Sequence, residues 1–285
     1  MKLGVAGIVS EWTQIGADEA RRVRGYGFHG LSVFFSDPIA AEVRKVGELR
    51  RILNGEGLEA AQANGKYEAL LHPEEARRAE GVRALEALCR VGSVLGAPTV
   101  YVRPGGLNPN GHWFAHPGND TPQSFERLVD SLRKASRAAA AEGARLAIEG
   151  HVLSVLHSPR RVRELLDAVG SPALTFNVDP VNFVGTVHDA LDSRPLLDEL
   201  FRLLGPDTTA AHMKDMTIQD DLVLHIQETV IGTGRLDQER YLTLLQRHCP
   251  DVYCLIEHIP EESVPVARDA LLASARKAGV TLDAY

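Results

Sequence analysis

The sequence comprises 285 residues with a formal net charge of −7, a length that suits one large domain. Its basic residues are spread among acidic ones along helix-like stretches, which argues against a nucleic-acid partner, and no run of about 20 apolar residues predicts a membrane span. The three cysteines fit no metal spacing, and although Cys249 and Cys254 could lie near each other, reduced thiols in a cytoplasmic protein are the simpler expectation.

Short apolar runs alternate with longer amphipathic stretches along the whole chain. In chain order, the predicted strands are 2–8, 30–35, 57–63, 97–103, 144–150, 173–179, 208–214 and 252–258. Strand–helix alternation predicts a parallel sheet, and eight strands favour closure into a single-domain (β/α)8 TIM barrel over residues 1–285. A doubly wound sheet is the alternative, but no glycine-rich fingerprint follows the first strand.

Helical patterns fill the segments between the strands. The clearest spans 74–95, where apolar residues recur every three or four positions, and another spans 122–142. Thr121 and Asp237 precede helical patterns, where N-caps belong. Five glycines stand where helices should end, namely Gly96, Gly143, Gly170, Gly205 and Gly279.

Two long connections follow the carboxyl ends of strands, on the face where barrel enzymes build active sites. Residues 104–120 follow strand four, and residues 215–234 follow strand seven. Arg103 and Trp113 could bind a sugar-like substrate from the first of these, or the loop could pack against another subunit of a homo-oligomer. The Gly232-Thr233-Gly234 segment in the second is predicted to be a turn, with phosphate binding as the alternative.

Strands five to eight each end on a side chain that can bind a metal ion. These side chains are Glu149, Asp179, His212 and Glu257. In each strand, the two-residue alternation puts apolar neighbours on the opposite face. A single acidic residue after a strand is usually a helix cap or solvated, but four possible ligands on adjacent strands indicate one divalent-metal site.

Two Glu, one Asp and one His form a mostly oxygen ligand set, which favours Mn²⁺, with Mg²⁺, Co²⁺ and Zn²⁺ as alternatives. Without a cation, three clustered carboxylates would repel one another. Lys214, just beyond His212, could contact a substrate, or it could pair with Asp215 or another nearby carboxylate. Asn64 is a substrate-binding candidate by position after strand three, whereas His258 is out of phase with Glu257 and is expected to face the helical layer.

The motifs LAIEGH, NVDP, HMKD and LIEH resemble the xylose isomerase-like TIM-barrel superfamily, in its branch of sugar (phosphate) isomerases and epimerases. The resemblance covers nearly the whole chain and is clearest from 144 to 258. It implies that the four ligand candidates hold the metal, and that Glu149 and Glu257 also act as acid-base groups on opposite faces of an enediolate. His151 resembles a substrate-contacting position, and Asn182 replaces a His that is common in the family.

The implied function is a metal-dependent isomerase or epimerase of a keto sugar, sugar phosphate or polyol-derived carbonyl compound. The alternative is a metal-dependent lyase that uses the same site, for inosose-type dehydration or 3-keto-glycoside cleavage. Apurinic endonucleases resemble the same superfamily, but Asn182 and the acidic charge disfavour that activity. A sugar-binding barrel without turnover is a fourth hypothesis. In each favoured case, the expected partner is a small sugar-like molecule, without nucleic acid or membrane.

Overall fold

The computed structural model describes residues 1–285. Its ten strands are β1 (Lys2–Val5), β2 (Gly30–Phe35), β3 (Glu59–Gly65), β4 (Val100–Val102), β5 (Leu146–Ile148), β6 (Leu174–Val178), β7 (Thr208–Met213), β8 (Asp215–Ile218), β9 (Ile226–Thr229) and β10 (Tyr253–Ile256). Strands β1 to β7 and β10 are parallel and close into a barrel, in which β10 lies between β7 and β1. The predicted (β/α)8 barrel is confirmed.

The barrel is surrounded by helices whose predicted caps are largely present. They are α1 (Ala17–Gly25), α2 (Val43–Gly55), α3 (Glu75–Leu95), α4 (Pro122–Ala141), α5 (Pro159–Val169), α6 (Val187–Leu191), α7 (Arg194–Leu204), α8 (Gln238–His248) and α9 (Val264–Ala278). Thr121 Oγ1 accepts a hydrogen bond from Ser124 N at 3.2 Å, and Asp237 Oδ1 accepts one from Arg240 N at 2.9 Å. These side chains satisfy backbone N–H groups that lack a partner within the helix.

The third strand lies two residues later than the sequence pattern predicts. Gly57 adopts φ +71° and belongs to the turn after α2, so β3 begins only at Glu59. The shift matters for the site because it brings Gln62 and Asn64 into the upper part of the strand. Both are therefore close to the carboxyl end of the barrel.

Most of the long connection over 215–234 is a β-hairpin, which the sequence pattern did not reveal. Strands β8 and β9 pair antiparallel, with Met216 opposite Glu228. The base of the hairpin is closed by the buried Asp215, whose carboxylate accepts hydrogen bonds from Gly232 N at 3.0 Å, Gly234 N at 3.1 Å and Leu236 N at 3.0 Å. These N–H groups are thus occupied, which favours the turn over a phosphate site. Residues 104–120 contain no helix or strand.

One hydrophobic core of 71 buried residues extends through the molecule, as expected for a single domain. The three cysteines are free thiols. None of the helices combines the length and the apolar character that crossing a membrane requires. Against this apolar background, a group of buried polar side chains at the carboxyl end of the barrel needs an explanation, because burying charge is costly unless it is neutralised.

Candidate metal centre

Four ligand-type side chains meet at the carboxyl end of four adjacent barrel strands. Glu149 follows β5, Asp179 follows β6, His212 lies in β7 and Glu257 follows β10. Each offers one ligand atom, and these atoms all lie within 4.8 Å of one another. The first three side chains are almost fully buried, and that of Glu257 is 11 % exposed. The structure therefore brings the four predicted residues together.

The imidazole of His212 faces two of the carboxylates. Its Nδ1 lies 3.0 Å from Glu149 Oε1 and 3.0 Å from Glu257 Oε1. Burial alone would lower the pKa of His212, but the negative charges of Glu257 and Glu149 outweigh it and raise this pKa to about 10. The position next to Nδ1 is thus one where positive charge, a proton or a metal ion, is strongly favoured.

A chain of hydrogen bonds fixes the other side of this imidazole. Asn177 Nδ2 donates to Glu149 Oε1 at 2.8 Å, and Gln62 Nε2 donates to Asn177 Oδ1 at 3.1 Å. The amide oxygen of Gln62, Oε1, lies 3.2 Å from His212 Nε2 and can only accept a hydrogen bond from it. Nε2 therefore carries the proton, and Nδ1 is the nitrogen available to a metal.

Glu149 is also held from below by a phenol. Tyr101 OH donates to Glu149 Oε2 at 2.6 Å, so both oxygens of this carboxylate have a donor. Burial, followed by the charges of Glu149 and Glu257, raises the pKa of Tyr101 well above its usual value and keeps the phenol protonated. Sequence reasoning missed Gln62 and Tyr101. Their signal was a polar side chain within a strand, which by itself has no defined role.

Lys214 is the cation of the centre. Its Nζ lies 2.8 Å from Asp179 Oδ2, 3.0 Å from Glu257 Oε1, 3.2 Å from Glu228 Oε1 and 3.2 Å from Asn182 Oδ1. Burial would lower the pKa of Lys214, but the surrounding carboxylates raise it well above its usual value. Burial raises the pKa of Asp179 to about 7, although Lys214 acts in the opposite direction.

Of the ion pairs predicted for Lys214, those with nearby carboxylates are present, whereas Asp215 turns away to bind the backbone of residues 232–236. Lys214 instead neutralises one of the three carboxylates among the ligand candidates. With the ammonium charged, these three carboxylates and Lys214 leave a net charge of −2, which a divalent cation would balance.

Unpaired buried atoms also fit a metal ion. Asp179 Oδ1 is buried and has no hydrogen-bond partner, while Asp179 Oδ2 contacts only Lys214 and His212 Nδ1 faces only carboxylate oxygens. A buried oxygen without a partner is costly, and a cation shared among these atoms would satisfy it. The donor set is mainly oxygen, as Mn²⁺ and Mg²⁺ prefer. The residues present thus fit a divalent metal ion.

The remaining predicted residues lie at different distances from the centre. Asn182 contacts Lys214 within it, and Asn64 lines a cavity together with Glu257. His151 lies two residues beyond Glu149, with its ring centroid 5.5 Å from that of Trp113. Trp113 and Arg103 line a neighbouring cleft, away from the four ligand candidates.

The expected orientation of His258 is wrong. Its side chain lines the cavity beside Glu257, and its Nδ1 lies 3.3 Å from Glu228 Oε1. Strand β10 ends at Ile256, and His258 adopts φ +58°, so the two-residue alternation of a strand no longer applies there. Glu228 was missed because its place depends on the hairpin.

The comparisons with known proteins bear on the fold and the family. None of the curated proteins is matched by the sequence. The structure is similar to that of 3-keto-D-glucoside 4-epimerase, YcjR, from E. coli, at 17% identity over 97% of this chain and 99% of that one, with a TM-score of 0.71. It is also similar to a xylose isomerase-like TIM barrel protein from Mycobacterium smegmatis in complex with magnesium, at 16% identity over 98% and 97%, with a TM-score of 0.75.

A D-tagatose 3-epimerase-like protein gives a TM-score of 0.76 at 15% identity, with 98% of each chain covered. Identities this low establish the shared fold and leave the activity open. The sequence itself matches the model of one family, described as xylose isomerase-like TIM barrel, over residues 20–277. Because that match spans most of the sequence, the chain belongs to the xylose isomerase-like TIM barrel family.

Proposed function

We propose that residues 1–285 form one catalytic domain, a divalent-metal-dependent isomerase or epimerase of a keto sugar or a related carbonyl compound. The observation that carries this proposal is the pair Glu149 and Glu257, each 3.0 Å from His212 Nδ1. Strands β5 and β10 are separated by β6 and β7, so the two carboxylates approach this point from different sides. Sugar epimerases among the similar structures support the same activity.

Glu149, Asp179, His212 and Glu257 would hold the ion, which we propose to be Mn²⁺. When bound, a divalent ion supplies a Lewis acid that polarises a carbonyl and stabilises negative charge on oxygen. Magnesium in the similar Mycobacterium smegmatis structure is consistent with a divalent ion in this fold.

Proton transfer is assigned to the two glutamates. Burial would raise the pKa of Glu257, but the charges of His212 and Lys214 outweigh it and hold this pKa well below its usual value. Glu257 is therefore an ionised base, which takes the proton from the carbon beside the carbonyl and leaves an enediolate. Glu149, held in place by Tyr101 and Asn177, would enter this step protonated and give its proton to the other face of the enediolate. Solvent would then take the proton from Glu257 and protonate Glu149, which restores both groups for the next turnover.

Neighbouring side chains would bind the substrate hydroxyls. The amide of Asn182 and the ammonium of Lys214 lie 3.2 Å apart beside the ligand candidates, where both can hydrogen-bond to oxygen. An amide cannot relay a proton, so Asn182 orients the substrate and leaves the acid-base work to the carboxylates. We also propose His151 and Asn64 as substrate contacts, from the sides of Glu149 and Glu257 respectively.

The decisive experiment replaces Glu257 by Gln. We expect turnover of a keto-sugar panel to fall by about 100-fold or more, since an amide cannot accept the proton. Metal content, measured by mass spectrometry, should fall as well because an anionic ligand is lost. Glu262→Gln, which changes an exposed carboxyl a few residues away, is the matched control. Full activity of Glu257→Gln with an emptied site would refute the proposal.

Elimination is the second candidate, and Asn182 is the observation that favours it. The same ionised Glu257 would start a dehydration or the cleavage of a 3-keto glycoside, without a second proton relay at position 182. Turnover in deuterated water, followed by NMR, distinguishes the two reactions. Solvent deuterium in an isomerised or epimerised product supports the first function, whereas a dehydrated or cleaved product supports the second.

A further inference from the structure

Two neighbouring spaces lie at the carboxyl end of the barrel. The cavity beside Glu257 has a volume of about 170 Å³, and Phe34 and Asn64 form part of its wall. A second cleft of about 650 Å³ lies over the ends of β2, β3 and β4, and Phe34 belongs to its lining too. Pockets for organic ligands usually measure roughly 300–1,000 Å³, so the space beside Glu257 is small by itself and the cleft is of ligand size.

The second cleft contains none of the four ligand candidates, but it shares Phe34 with the cavity beside Glu257. Trp113 forms another of its walls, and the ring centroid of Trp113 lies 5.5 Å from that of His151, two residues beyond Glu149. The cleft and the cavity are therefore neighbours at Phe34. A molecule that extends from the cavity past Phe34 would enter the cleft.

The wall of the cleft next to β4 is rigid. Arg103 donates from Nη1 to Gly65 O at 3.1 Å, and its guanidinium carbon lies 4.3 Å from the ring centroid of Tyr67. The Tyr67 hydroxyl in turn accepts a hydrogen bond from Arg103 N at 2.7 Å. Because backbone oxygens and an aromatic face already hold this guanidinium, the side chain loses little further conformational entropy when a ligand binds.

The lining favours an uncharged ligand. Its cations, Lys66 and Arg103, are opposed by three carboxylates, those of Asp37, Glu68 and Glu80. Burial lowers the pKa of His112, so this residue adds no positive charge at neutral pH. Arg77 pairs with Glu68 at 2.6 Å, so the charges around the cleft are close to balanced and offer a phosphate no net positive site. Aromatic faces interleaved with hydrogen-bonding groups suit a ring, either a second sugar or an aryl group.

We infer that this cleft is a subsite for a second, uncharged ring, and that the substrate is a glycoside whose keto-sugar ring reacts at the metal centre. The assignment of the reacting ring rests on the proposed function. Binding of the second ring does not, because it depends only on the cleft. The two can therefore be tested separately.

Trp113 is a natural reporter, because the chain has only two tryptophans. Trp12 stacks on Phe35 at 5.5 Å, so Trp12→Phe should keep an aromatic ring there and leave Trp113 as the sole tryptophan. This variant is titrated with glucose, phenyl β-glucoside, maltose and glucose 6-phosphate. We expect phenyl β-glucoside and maltose to change the emission and to bind about tenfold more tightly than glucose. Glucose 6-phosphate should bind no more tightly than glucose.

Calorimetry with Trp113→Leu and Phe114→Leu locates the effect. Phe114 is the next residue, is 53% exposed and lies outside the cleft lining, so its variant should keep the tenfold preference. Trp113→Leu should lose that preference while its unfolding temperature stays close to that of Phe114→Leu. Equal binding of glucose and the glycosides, no binding of either glycoside, or tightest binding of glucose 6-phosphate would overturn the subsite.

Asp179→Asn separates this inference from the proposed function. The variant should lose metal, yet it should still prefer phenyl β-glucoside to glucose, because Asp179 does not line the cleft. A preserved preference together with an inactive wild-type enzyme on every keto sugar would contradict the function alone. Loss of the preference in Asp179→Asn would contradict an independent subsite.

Discussion

At the residue scale, Gln62 decides which nitrogen of His212 can face a metal. Its amide is oriented by Asn177, which is oriented in turn by Glu149, so two ligand candidates are joined by a hydrogen-bond chain. Partners of this kind orient metal-bound histidines, and their loss commonly lowers metal affinity by about 10–100-fold. Gln62 is therefore a positioning residue for the centre.

Replacing Gln62 by Leu should reveal this role. The buried Nε2–H of His212 would lose its acceptor, and we expect affinity for Mn²⁺ to fall by about 10–100-fold. Isothermal titration calorimetry of the apoprotein measures the change. Gln123→Leu, at an exposed position of α4, is the control and should bind Mn²⁺ like the wild type. Unchanged affinity in Gln62→Leu would show that the chain of hydrogen bonds does not orient the ligand.

The residues that sequence reasoning found and missed differ in a physical way. Glu149, Asp179 and Glu257 follow apolar strands, where a charged side chain is a local anomaly that the sequence itself displays. Tyr101 acquires its meaning from a contact with Glu149, 48 positions away in sequence. Gln62 depends on His212, 150 positions away. Such pairings follow from the register of the closed barrel, which alternation of apolar and polar residues does not specify.

At the scale of elements, the β8–β9 hairpin places Glu228 beside Lys214 and His258. Apolar alternation in β8 is short, and β9 carries exposed polar residues, so neither strand is evident without its partner. The helices and the other eight strands are longer or more apolar, and their positions could be predicted. The hairpin instead depends on Asp215, whose carboxylate accepts hydrogen bonds from backbone N–H groups beyond β9.

Asp215→Asn should loosen the base of this hairpin. The amide has one acceptor oxygen in place of two, and its NH₂ group would face backbone donors, so we expect a loss of about 1–3 kcal/mol in unfolding free energy. Hydrogen exchange should accelerate at Gly232, Gly234 and Leu236, whose N–H groups Asp215 binds. Asp221→Asn at the exposed hairpin tip is the control. Equal protection in both variants would contradict this role.

At the scale of the whole molecule, the candidate metal centre takes its residues from β5, β6, β7 and β10, which are four neighbouring strands of the barrel. A cation bound among their carboxylates would oppose the separation of these strands. Since such an ion binds only the folded chain, it stabilises that state according to its concentration relative to its Kd.

Thermal unfolding should therefore depend on divalent metal. At a free Mn²⁺ concentration of about 100 times the Kd, stabilisation is about 2.7 kcal/mol, and a rise of several degrees in Tm follows for a chain of this size. Differential scanning calorimetry with Mn²⁺ or with EDTA measures the rise. Asp179→Asn should show little response. A Tm that is the same with Mn²⁺ and EDTA in the wild type would argue against a metal centre.

Two arcs of neighbouring strands contribute different residues at the carboxyl end of the barrel. The ligand candidates all come from β5, β6, β7 and β10, whereas Phe34, Asn64 and Arg103, at the ends of β2, β3 and β4, form walls of the cavity and the cleft. Under the proposed function, mutations in the loops of the second arc would alter which molecule enters while the four ligand candidates stay in place. The substrate range of duplicated genes would then diverge without a change at the site of reaction.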